Sequence, residues 1–255
     1  MIKFFSALIV IAACCGFNVT TAQPFNGKVE YTISENYVNR AFCTYFFNGN
    51  YIKKIDTSGS LFVAAGFSET IWDLKNRKQY LINHGNKTIY FSDYVPDSAY
   101  DINSFSQTPK IDDNECLKYE KSERKSVVLK DKEDTIVHNS TFFVAKELLL
   151  SSRIKSEGKY DPLNLSSGYI PLRIKNWGGL ISSENDSYNT LVEAVKIKEK
   201  NIGDDFFNLP EGYQTKVFVE IEIRDLVRKA AEKRIDFMEM AKKVMREKGM
   251  FSIFD

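Results

Sequence analysis

The sequence predicts a mainly β protein, namely a strongly bent antiparallel sheet or half-open barrel with a C-terminal α-helix. Three observations lead to this prediction. Short runs of alternating apolar and polar residues recur about every ten residues, which is typical of an antiparallel meander. Turns rich in Asn, Gly and Asp join these runs, and the residues from 224 onwards change to a helical periodicity. We therefore divide the chain into a signal peptide (1–22), a β domain (23–223) and a terminal helix with its tail (224–255).

The composition excludes two classes of protein. The chain has 255 residues, which is enough to bury a sizeable core. A disordered chain would not carry 43% hydrophobic and 13% aromatic residues. The 35 basic and 34 acidic residues leave almost no net charge, whereas a nucleic-acid-binding domain usually has a strongly basic surface. We therefore expect neither a disordered protein nor one that binds nucleic acid.

The N-terminus has the pattern of a cleaved secretory signal. Lys3 gives a positive start, Phe4 to Ala13 form an apolar run, and small residues precede a cleavage point after Ala22. The run is about half the length that a transmembrane helix needs. We therefore expect a secreted or periplasmic protein. A second interpretation stays open, because Ile11 to Cys14 resembles a bacterial lipobox, in which a lipidated Cys14 anchors the chain to a membrane.

Removal of the signal changes the cysteine count more than the charge. Cleavage removes Lys3, so 34 basic residues remain against 34 acidic ones, and the remaining cysteines are Cys43 and Cys116. In an oxidising compartment these two thiols can form a disulfide. Two buried thiols are the alternative, because cysteine is among the most buried residue types. Both interpretations stay open.

The first predicted strands form a series of hairpins. Gly27 to Ile33 alternates apolar and polar residues, so one face of this strand is predicted to lie on the core. Asn48-Gly49-Asn50 separates the aromatic run Val38 to Phe47 from Tyr51 to Ile55, and such residues tolerate the backbone angles of tight turns. The later predicted strands are Ser68–Leu74, Lys78–Asn83, Thr88–Phe91, Glu115–Arg124, Ser126–Leu129, Asp134–Ala145, Tyr169–Lys175, Leu191–Lys200 and Thr215–Ile223.

Three segments are predicted to interrupt the strands. Ser92 to Asp113 contains two prolines among polar residues and is interpreted as a long loop, either a lid or a disordered excursion. Val144 to Ser151 is compatible with one or two helical turns. Tyr160 to Gly168 is loop-like.

The C-terminal segment is predicted to be a basic amphipathic helix. Arg224 to Lys248 has no Gly or Pro and places apolar residues at helical spacing, and Gly249 ends the pattern. The segment has nine basic residues against five acidic ones. Packing on the sheet and docking to a partner or an anionic membrane surface both fit this pattern.

Motifs for catalysis, cofactors and metals are not found in the sequence. Gly178-Gly179 lacks the lysine and the spacing of a phosphate loop, and no Gly-x-Ser-x-Gly elbow occurs. His84 and His138 belong to no metal-binding pattern, so both are interpreted as surface or satisfied histidines. We therefore expect no cofactor, no metal and no enzyme. A hydrolase stays a third alternative, because paired carboxylates meet in space rather than along the chain.

The aromatic content allows two interpretations. The chain has 19 Phe and 13 Tyr, and a bent sheet lined with aromatic and branched residues is a suitable container for an apolar ligand. The same residues can equally fill an ordinary core.

Six short segments spread over the β domain form a pattern with a known counterpart. They are Phe25–Val29, Ile71–Leu74, Tyr80–Ile82, Cys116–Tyr119, Val144–Leu148 and Phe207–Tyr213. These segments resemble secreted bacterial proteins of a domain-of-unknown-function family that is related to the LolA/LolB lipoprotein-carrier fold. The resemblance implies a half-open antiparallel barrel around an apolar groove, in the periplasm or at the cell envelope, that binds acyl chains or lipidated protein. It implies no catalysis, and the helix from Arg224 departs from the pattern.

The predicted groove consists of aromatic residues of the early strands: Phe42, Tyr45, Phe46 and Trp72. Neighbouring residues of a strand point to opposite faces, so Tyr45 and Phe46 cannot both line it. The leading hypothesis is a non-enzymatic protein that binds a lipid or lipidated protein in the concave face of the sheet. The alternative is a structural or adaptor protein of the envelope that docks a partner through Arg224 to Lys248.

Overall fold

The computed structural model describes residues 24–35, 38–94, 106–111, 114–129, 132–150, 163, 168–180 and 188–247. The predicted signal peptide and Cys14 lie outside the described residues. The strands are β1 (Gly27–Glu35), β2 (Val38–Phe47), β3 (Tyr51–Asp56), β4 (Phe67–Asp73), β5 (Lys78–Asn83), β6 (Thr88–Asp93), β7 (Ser106–Ile111), β8 (Asn114–Leu129), β9 (Lys132–Leu149), β10 (Tyr169–Leu180), β11 (Tyr188–Glu199) and β12 (Gln214–Val217). The helices are α1 (Leu61–Ala64), a 3-10 helix (Asp204–Phe207) and α2 (Glu220–Glu247).

These strands form one 12-stranded sheet in the order β12-β6-β5-β4-β3-β2-β1-β11-β10-β9-β8-β7. Neighbouring strands are antiparallel, apart from β12 and β6, which are parallel. β1 lies between β2 and β11, with Gly27 opposite Glu199. The predicted mainly β fold, with one bent sheet and a C-terminal helix, is therefore confirmed.

The sheet is open and curved, and β10 shows one cause of the curvature. β10 pairs with β11 only from Arg173 onwards, whereas its earlier residues pair with β9 alone. The register with β9 shifts on both sides of Pro171, because proline has no N–H to donate to the ladder. Such irregularities bend the strand that contains them. The Tyr31 hydroxyl donates to the Pro171 carbonyl oxygen at 2.9 Å, and the Phe25 N–H donates to the Leu149 carbonyl oxygen at 2.8 Å. This end of β9 and β10 therefore folds back towards β1.

Alternation along the strands gives the sheet two different faces. The inner face carries Val29 opposite Tyr45, and the outer face carries Lys28 opposite Phe46. The buried residues of the main inner cluster are Phe25, Val29, Tyr31, Cys43, Tyr45, Phe47, Ile52, Trp72, Tyr94, Cys116, Phe142, Val144, Ala145, Leu148, Leu163, Ile170, Leu172, Ile174 and Val192. The core thus joins strands from both halves of the sheet on the inner face.

The first half of α2 covers the inner face at the other end, over β5 and β6. Ile223 belongs to a buried cluster with Leu81 and Tyr90, and Ala230 is buried as well. The Tyr90 hydroxyl donates to Glu222 Oε1 at 2.8 Å. The helix begins at Glu220 rather than at Arg224. Its start is therefore part of the core.

The second half of α2 extends away from these contacts. Among the side chains that the structure describes, none after Ala230 is buried in the helix. Ile235, Phe237 and Met240 are 60%, 63% and 59% exposed. The Arg234 guanidinium donates to the Gly59 carbonyl oxygen just after β3. The first half of the helix therefore packs on the sheet, and docking of a partner through Arg224 to Lys248 stays a prediction.

Replacing Tyr90 with phenylalanine is expected to make the free energy of unfolding fall less steeply as the pH is lowered. The hydrogen bond from Tyr90 is the main cause that lowers the pKa of Glu222 below its ordinary value of 4.5, and Lys216 lowers it further, while burial raises it. A lowered folded-state pKa adds stability that is present above the unfolded value and is lost as pH falls through the folded value. Urea unfolding between about pH 6 and pH 3 should show a steeper loss for the wild type than for Tyr90→Phe. Parallel curves would contradict this contribution.

The secondary structure predicted for two segments is wrong. Val144 to Leu149 is not helical but continues β9, because Val144 and Leu149 pair with β10 and the buried Val144 and Leu148 lie in the inner cluster. Strand pairing here outweighs the local helix propensity. The strand predicted up to Ile223 ends at Val217, since only Gln214 to Val217 reach a partner strand and the next apolar residues pack as a helix.

The predicted loop from Ser92 to Asp113 contains the strand β7, which pairs with the start of β8 at the edge of the sheet. Pro109 is tolerated there because an edge strand need not donate hydrogen bonds on both sides.

The helix α1 is not predicted from the sequence. The Ser60 hydroxyl caps it by accepting from the Val63 N–H at 3.2 Å. Cys43 and Cys116 are thiols, and both are buried in the inner cluster. Their pairing stays a prediction.

Candidate functional site

The four aromatic residues predicted to line a groove do not share a face. Tyr45 and Trp72 lie on the inner face, and their exposed fractions are 0% and 1%. Phe42 and Phe46 lie on the outer face, where Phe42 is 52% exposed. Successive side chains along β2 alternate between the two faces of the sheet. Phe42 and Phe46 are separated by an even number of positions and lie on one face, whereas Tyr45 is separated from each by an odd number and lies on the other. The structure brings Tyr45 and Trp72 into one cluster and leaves Phe42 and Phe46 outside it, and ligand binding by any of the four stays a prediction.

The inner face is lined by aromatic rings. The ring of Tyr45 contacts those of Tyr31 and Phe47, at centroid distances of 5.9 and 6.0 Å. On the opposite half of the sheet, the rings of Tyr119 and Phe142 are stacked at 5.1 Å. The inner face is therefore lined largely by packed aromatic and aliphatic side chains.

Two polar atoms on this apolar face have no hydrogen-bond partner among the described residues. They are Trp72 Nε1 and Thr190 Oγ1, both fully buried. Trp72 lies between Ile52 and Gln79 across β3 to β5, and Thr190 lies on β11 beside Val192. Leaving a buried donor unsatisfied costs about 1–3 kcal/mol, so such atoms are rare unless something else satisfies them.

The outer face is covered by a segment for which the sequence analysis predicts no role. Residues 200–213, here called the crossing segment, run from the end of β11 over the outer face towards β12 and include the 3-10 helix. Phe207 is buried against Ile71, Ile82 and Ile89 of β4 to β6. The crossing segment therefore closes a second, smaller core on the outer face.

The turn between β2 and β3 anchors the crossing segment. Asn48 Nδ2 donates to the Ile202 carbonyl oxygen at 3.3 Å and to Asp204 Oδ1 at 2.8 Å. Asn48 Oδ1 accepts from the backbone N–H groups of Asn50 and Tyr51 at 2.9 and 2.7 Å. Asn48 is only 4% exposed. The residue predicted as a simple turn former thus also fixes a segment that is distant in sequence.

A groove lies between the start of the crossing segment and strands β1, β2 and β11. Its volume is about 480 Å³. The lining residues are Lys28, Glu30, Phe46, Lys196, Lys198, Lys200, Asn201, Ile202, Gly203 and Phe206. Four lysines and one glutamate therefore line the groove around the apolar side chains of Phe46, Ile202 and Phe206. The sequence alone does not reveal this cluster, because Lys28 lies far in sequence from the other three lysines and only the pairing of β1 with β11 brings them together.

The charges of this groove act on Glu30. Lys28 Nζ lies 2.7 Å from Glu30 Oε1, and Lys196 Nζ lies 3.8 Å from the same oxygen. The hydrogen bond from Lys28 lowers the pKa of Glu30 below its ordinary value, and the charges of Lys28 and Lys196 lower it further, against a raising effect of burial. The groove thus stabilises the ionised form of its one carboxylate.

A polar chain at the far end of the crossing segment has a structural role. His84 Nδ1 lies 2.9 Å from the Tyr213 hydroxyl, and His84 Nε2 lies 3.5 Å from Glu69 Oε2. Glu69 also pairs with Lys53 at 2.7 Å. These contacts tie Tyr213 to β4 and agree with the interpretation of His84 as a satisfied surface histidine.

Neither a metal cluster nor a membrane-spanning helix is found in the ranges that the structure covers. No group of three or more His, Cys, Asp or Glu side chains in them is placed to hold a metal ion. Every helix within the same residues is too short or too polar to cross a bilayer.

Comparisons with known proteins give only distant structural similarity. No protein-family model matches the chain, and no curated protein sequence matches it. Among solved structures it is similar to PNGF-II, with 13% identity and a TM-score of 0.44 over 80% of this chain. The chain spans 32% of that structure's length.

Two smaller structures show similarity over most of their length. An uncharacterized conserved protein from Thermus thermophilus has 10% identity and a TM-score of 0.35, covering 84% of this chain and 99% of its own. A LolA superfamily protein from Nitrosomonas europaea has 10% identity and a TM-score of 0.32, covering 74% of this chain and 91% of its own. At these TM-scores the similarity carries no conclusion about function.

Proposed function

We propose that the protein is a non-enzymatic binding protein of the cell envelope that holds the apolar part of a lipid or lipidated protein against the inner face of its sheet. The observation that carries the proposal is the buried Nε1–H of Trp72, which has no acceptor among the described residues. An apolar ligand with one polar group would satisfy this donor and pack on the surrounding rings. Ligand sites of this kind are mostly apolar, with few polar groups that fix orientation.

The arrangement around Trp72 supports a ligand rather than an ordinary core contact. Trp72 is buried and belongs to the main inner cluster. Trp residues in protein cores usually find a partner for the indole N–H. Thr190 Oγ1, on the same face, is likewise unpaired among the described residues. The register places Thr190 level with Glu35, at one end of β1, and Trp72 level with Gly27, at the other end, so the two atoms do not share one site and Trp72 alone carries the proposal.

A second candidate function rests on α2. The apolar side of this helix is buried at Ile223 and Ala230 but exposed at Phe237 and Met240, and the helix carries eight basic residues against seven acidic ones. An exposed apolar stripe flanked by lysine and arginine is typical of a surface that docks a partner. An adaptor function through this half of the helix is therefore the alternative.

Native mass spectrometry of protein purified from its own host tests the first function. We expect a non-covalent adduct of lipid mass that is lost on denaturation. Trp72→Phe keeps an aromatic ring but removes the N–H, so it should lower the fraction of protein that retains the adduct. Trp177→Phe is the matched control, because Trp177 is 43% exposed on β10.

Three outcomes decide between the candidates. An adduct that Trp72→Phe reduces and Trp177→Phe preserves supports lipid binding on the inner face. Ligand-free protein that copurifies with one envelope protein, and loses it on Phe237→Ser, supports the adaptor. Ligand-free protein that also fails to bind dodecyl maltoside below its micelle concentration contradicts the first function.

The location of the protein and the state of its cysteines belong to the same proposal. We infer secretion to the periplasm or beyond after cleavage following Ala22, with lipidation of Cys14 as the alternative route to the envelope. In that compartment Cys43 and Cys116, which are both buried thiols of the inner cluster, are proposed to form a disulfide.

A further inference from the structure

We propose that the groove between the crossing segment and strands β1, β2 and β11 is a second binding site, whose ligand is a small organic anion: an oxyanion group joined to an apolar body. The site lies on the outer face, so it is separate from the inner face to which the proposed function refers. Its recognition groups are the four lysines Lys28, Lys196, Lys198 and Lys200 and the rings of Phe46 and Phe206.

The lysines of the groove are in positive excess. Glu30 is the one carboxylate that lines it, and Glu30 already pairs with Lys28 and Lys196. Lys198 and Lys200 have no ion pair within the described part of the chain. The excess is local, because the complete chain has 35 basic residues against 34 acidic ones. An anion in the groove would therefore meet uncompensated charge that the chain as a whole does not have.

The pairing of the strands places two of these charges directly opposite each other. Lys28 on β1 and Lys198 on β11 are cross-strand partners on the outer face, next to the partners Glu30 and Lys196. Like charges at directly opposed positions destabilise a sheet. An oxyanion between the two ammonium groups would convert this repulsion into two charge-assisted hydrogen bonds.

The floor of the groove suits an apolar body rather than a bare ion. The ring centroids of Phe46 and Phe206 are 4.7 Å apart, and Ile202 adds an aliphatic wall. Lys28 Nζ lies 5.6 Å from the Phe46 centroid and Lys53 Nζ lies 4.9 Å from that of Phe206, which fixes both rings. A volume of about 480 Å³ is within the usual range for small-molecule sites.

The wall of the groove is held in place without a ligand. The Lys200 N–H donates to the Asn26 carbonyl oxygen at 3.2 Å, and the Ile202 N–H donates to Asn26 Oδ1 at 3.2 Å. Asn48 holds the Ile202 carbonyl oxygen and Asp204 from the other side. A preformed site loses less entropy on binding than one that must be ordered.

Titration by two-dimensional amide NMR with three probes tests the site. Octanoate carries both an anion and a chain, octyl glucoside carries the chain without the charge, and inorganic phosphate carries the charge without the chain. We expect octanoate to shift the amide signals of residues 196–203 and to bind more tightly than the other two. The indole N–H signal of Trp72 reports separately on the inner face.

A double variant, Lys198→Gln with Lys200→Gln, should weaken octanoate binding about tenfold or more, because it removes half of the ammonium groups that would contact the oxyanion. The matched control is Lys125→Gln with Lys175→Gln, two exposed lysines on β8 and β10 outside the groove. Removal of like charges should leave cooperative unfolding intact. Higher salt should weaken octanoate binding to the wild type more than to the double variant.

The outcomes either support or overturn the site. Octanoate shifts at residues 196–203 that the double variant loses, and the control keeps, support it. Equal affinity of the double variant and the wild type overturns the role of the lysines. Octyl glucoside binding as tightly as octanoate overturns the preference for an anion, and phosphate binding as tightly overturns the need for an apolar body. Shifts confined to Trp72 place octanoate on the inner face and overturn the groove while supporting the proposed function.

Discussion

Replacing Tyr45 with alanine is expected to lower the free energy of unfolding by about 3–5 kcal/mol, the usual cost of truncating a buried aromatic side chain. Tyr45 is fully buried at the centre of the inner cluster. Its ring has an edge contact with Tyr31 and a stacked contact with Phe47, so truncation leaves a cavity that neighbouring rings cannot fill. Denaturant unfolding followed by circular dichroism measures the loss.

Phe42→Ala is the control for this prediction on the same strand. Phe42 lies on the outer face and is 52% exposed, so its truncation should change the free energy of unfolding by about 0.5–1 kcal/mol. The comparison keeps strand, residue size and chemistry nearly constant and changes the face alone. Similar losses at the two positions would contradict the assignment of the inner face as the core.

The second large effect is expected at Asn48. Asn48→Ala removes two donated and two accepted hydrogen bonds from a nearly buried amide, and at about 1 kcal/mol each these bonds sum to about 2–4 kcal/mol. The lost contacts include those that hold Ile202 and Asp204. We therefore also expect faster hydrogen exchange at residues 200–207 and weaker octanoate binding in the groove.

Asn50→Ala is the matched control for Asn48. The side chain of Asn50 makes one weaker bond to the crossing segment, from Nδ2 to Asp204 Oδ2 at 3.2 Å, and Asn50 is exposed. Its truncation should therefore cost well under half as much. If the two variants lose equal stability, the turn itself and not the contact with the crossing segment explains the effect.

The local parts of the fold could be predicted because they depend on neighbouring residues. β2 and β5 have the predicted bounds, since alternation and turn chemistry define both of them within a few residues. β9 could not be bounded in this way. Its last residues, up to Leu149, are extended because β10 pairs with them, and β10 lies later in the sequence. The parallel contact of β12 with β6 depends on long-range contacts in the same way.

The candidate sites could be predicted from the sequence less well than the local fold. Alternation alone separates Tyr45 from Phe46, but it does not say which of the two faces is covered. The alternating lysines from Lys196 to Lys200 predict only the polar side of a strand. Their common groove appears only when Lys28 is placed opposite Lys198 and Phe206 is brought over Phe46. Composition gives no signal for this, because the total charge is almost balanced.

The central position of β1 determines the order in which this protein can fold. The hairpins from β1 to β6 need only nearby residues and can form early. The other edge of β1 pairs with β11, so the sheet stays divided until Glu199 is available. Until then the β1 and β10 edges that later meet β11 are both unpaired, and such edges promote aggregation. Pairing of β11 with β1 therefore joins the two halves in the interior of the sheet, and slow folding, with a need for protection before this step, is the expected cost of the topology.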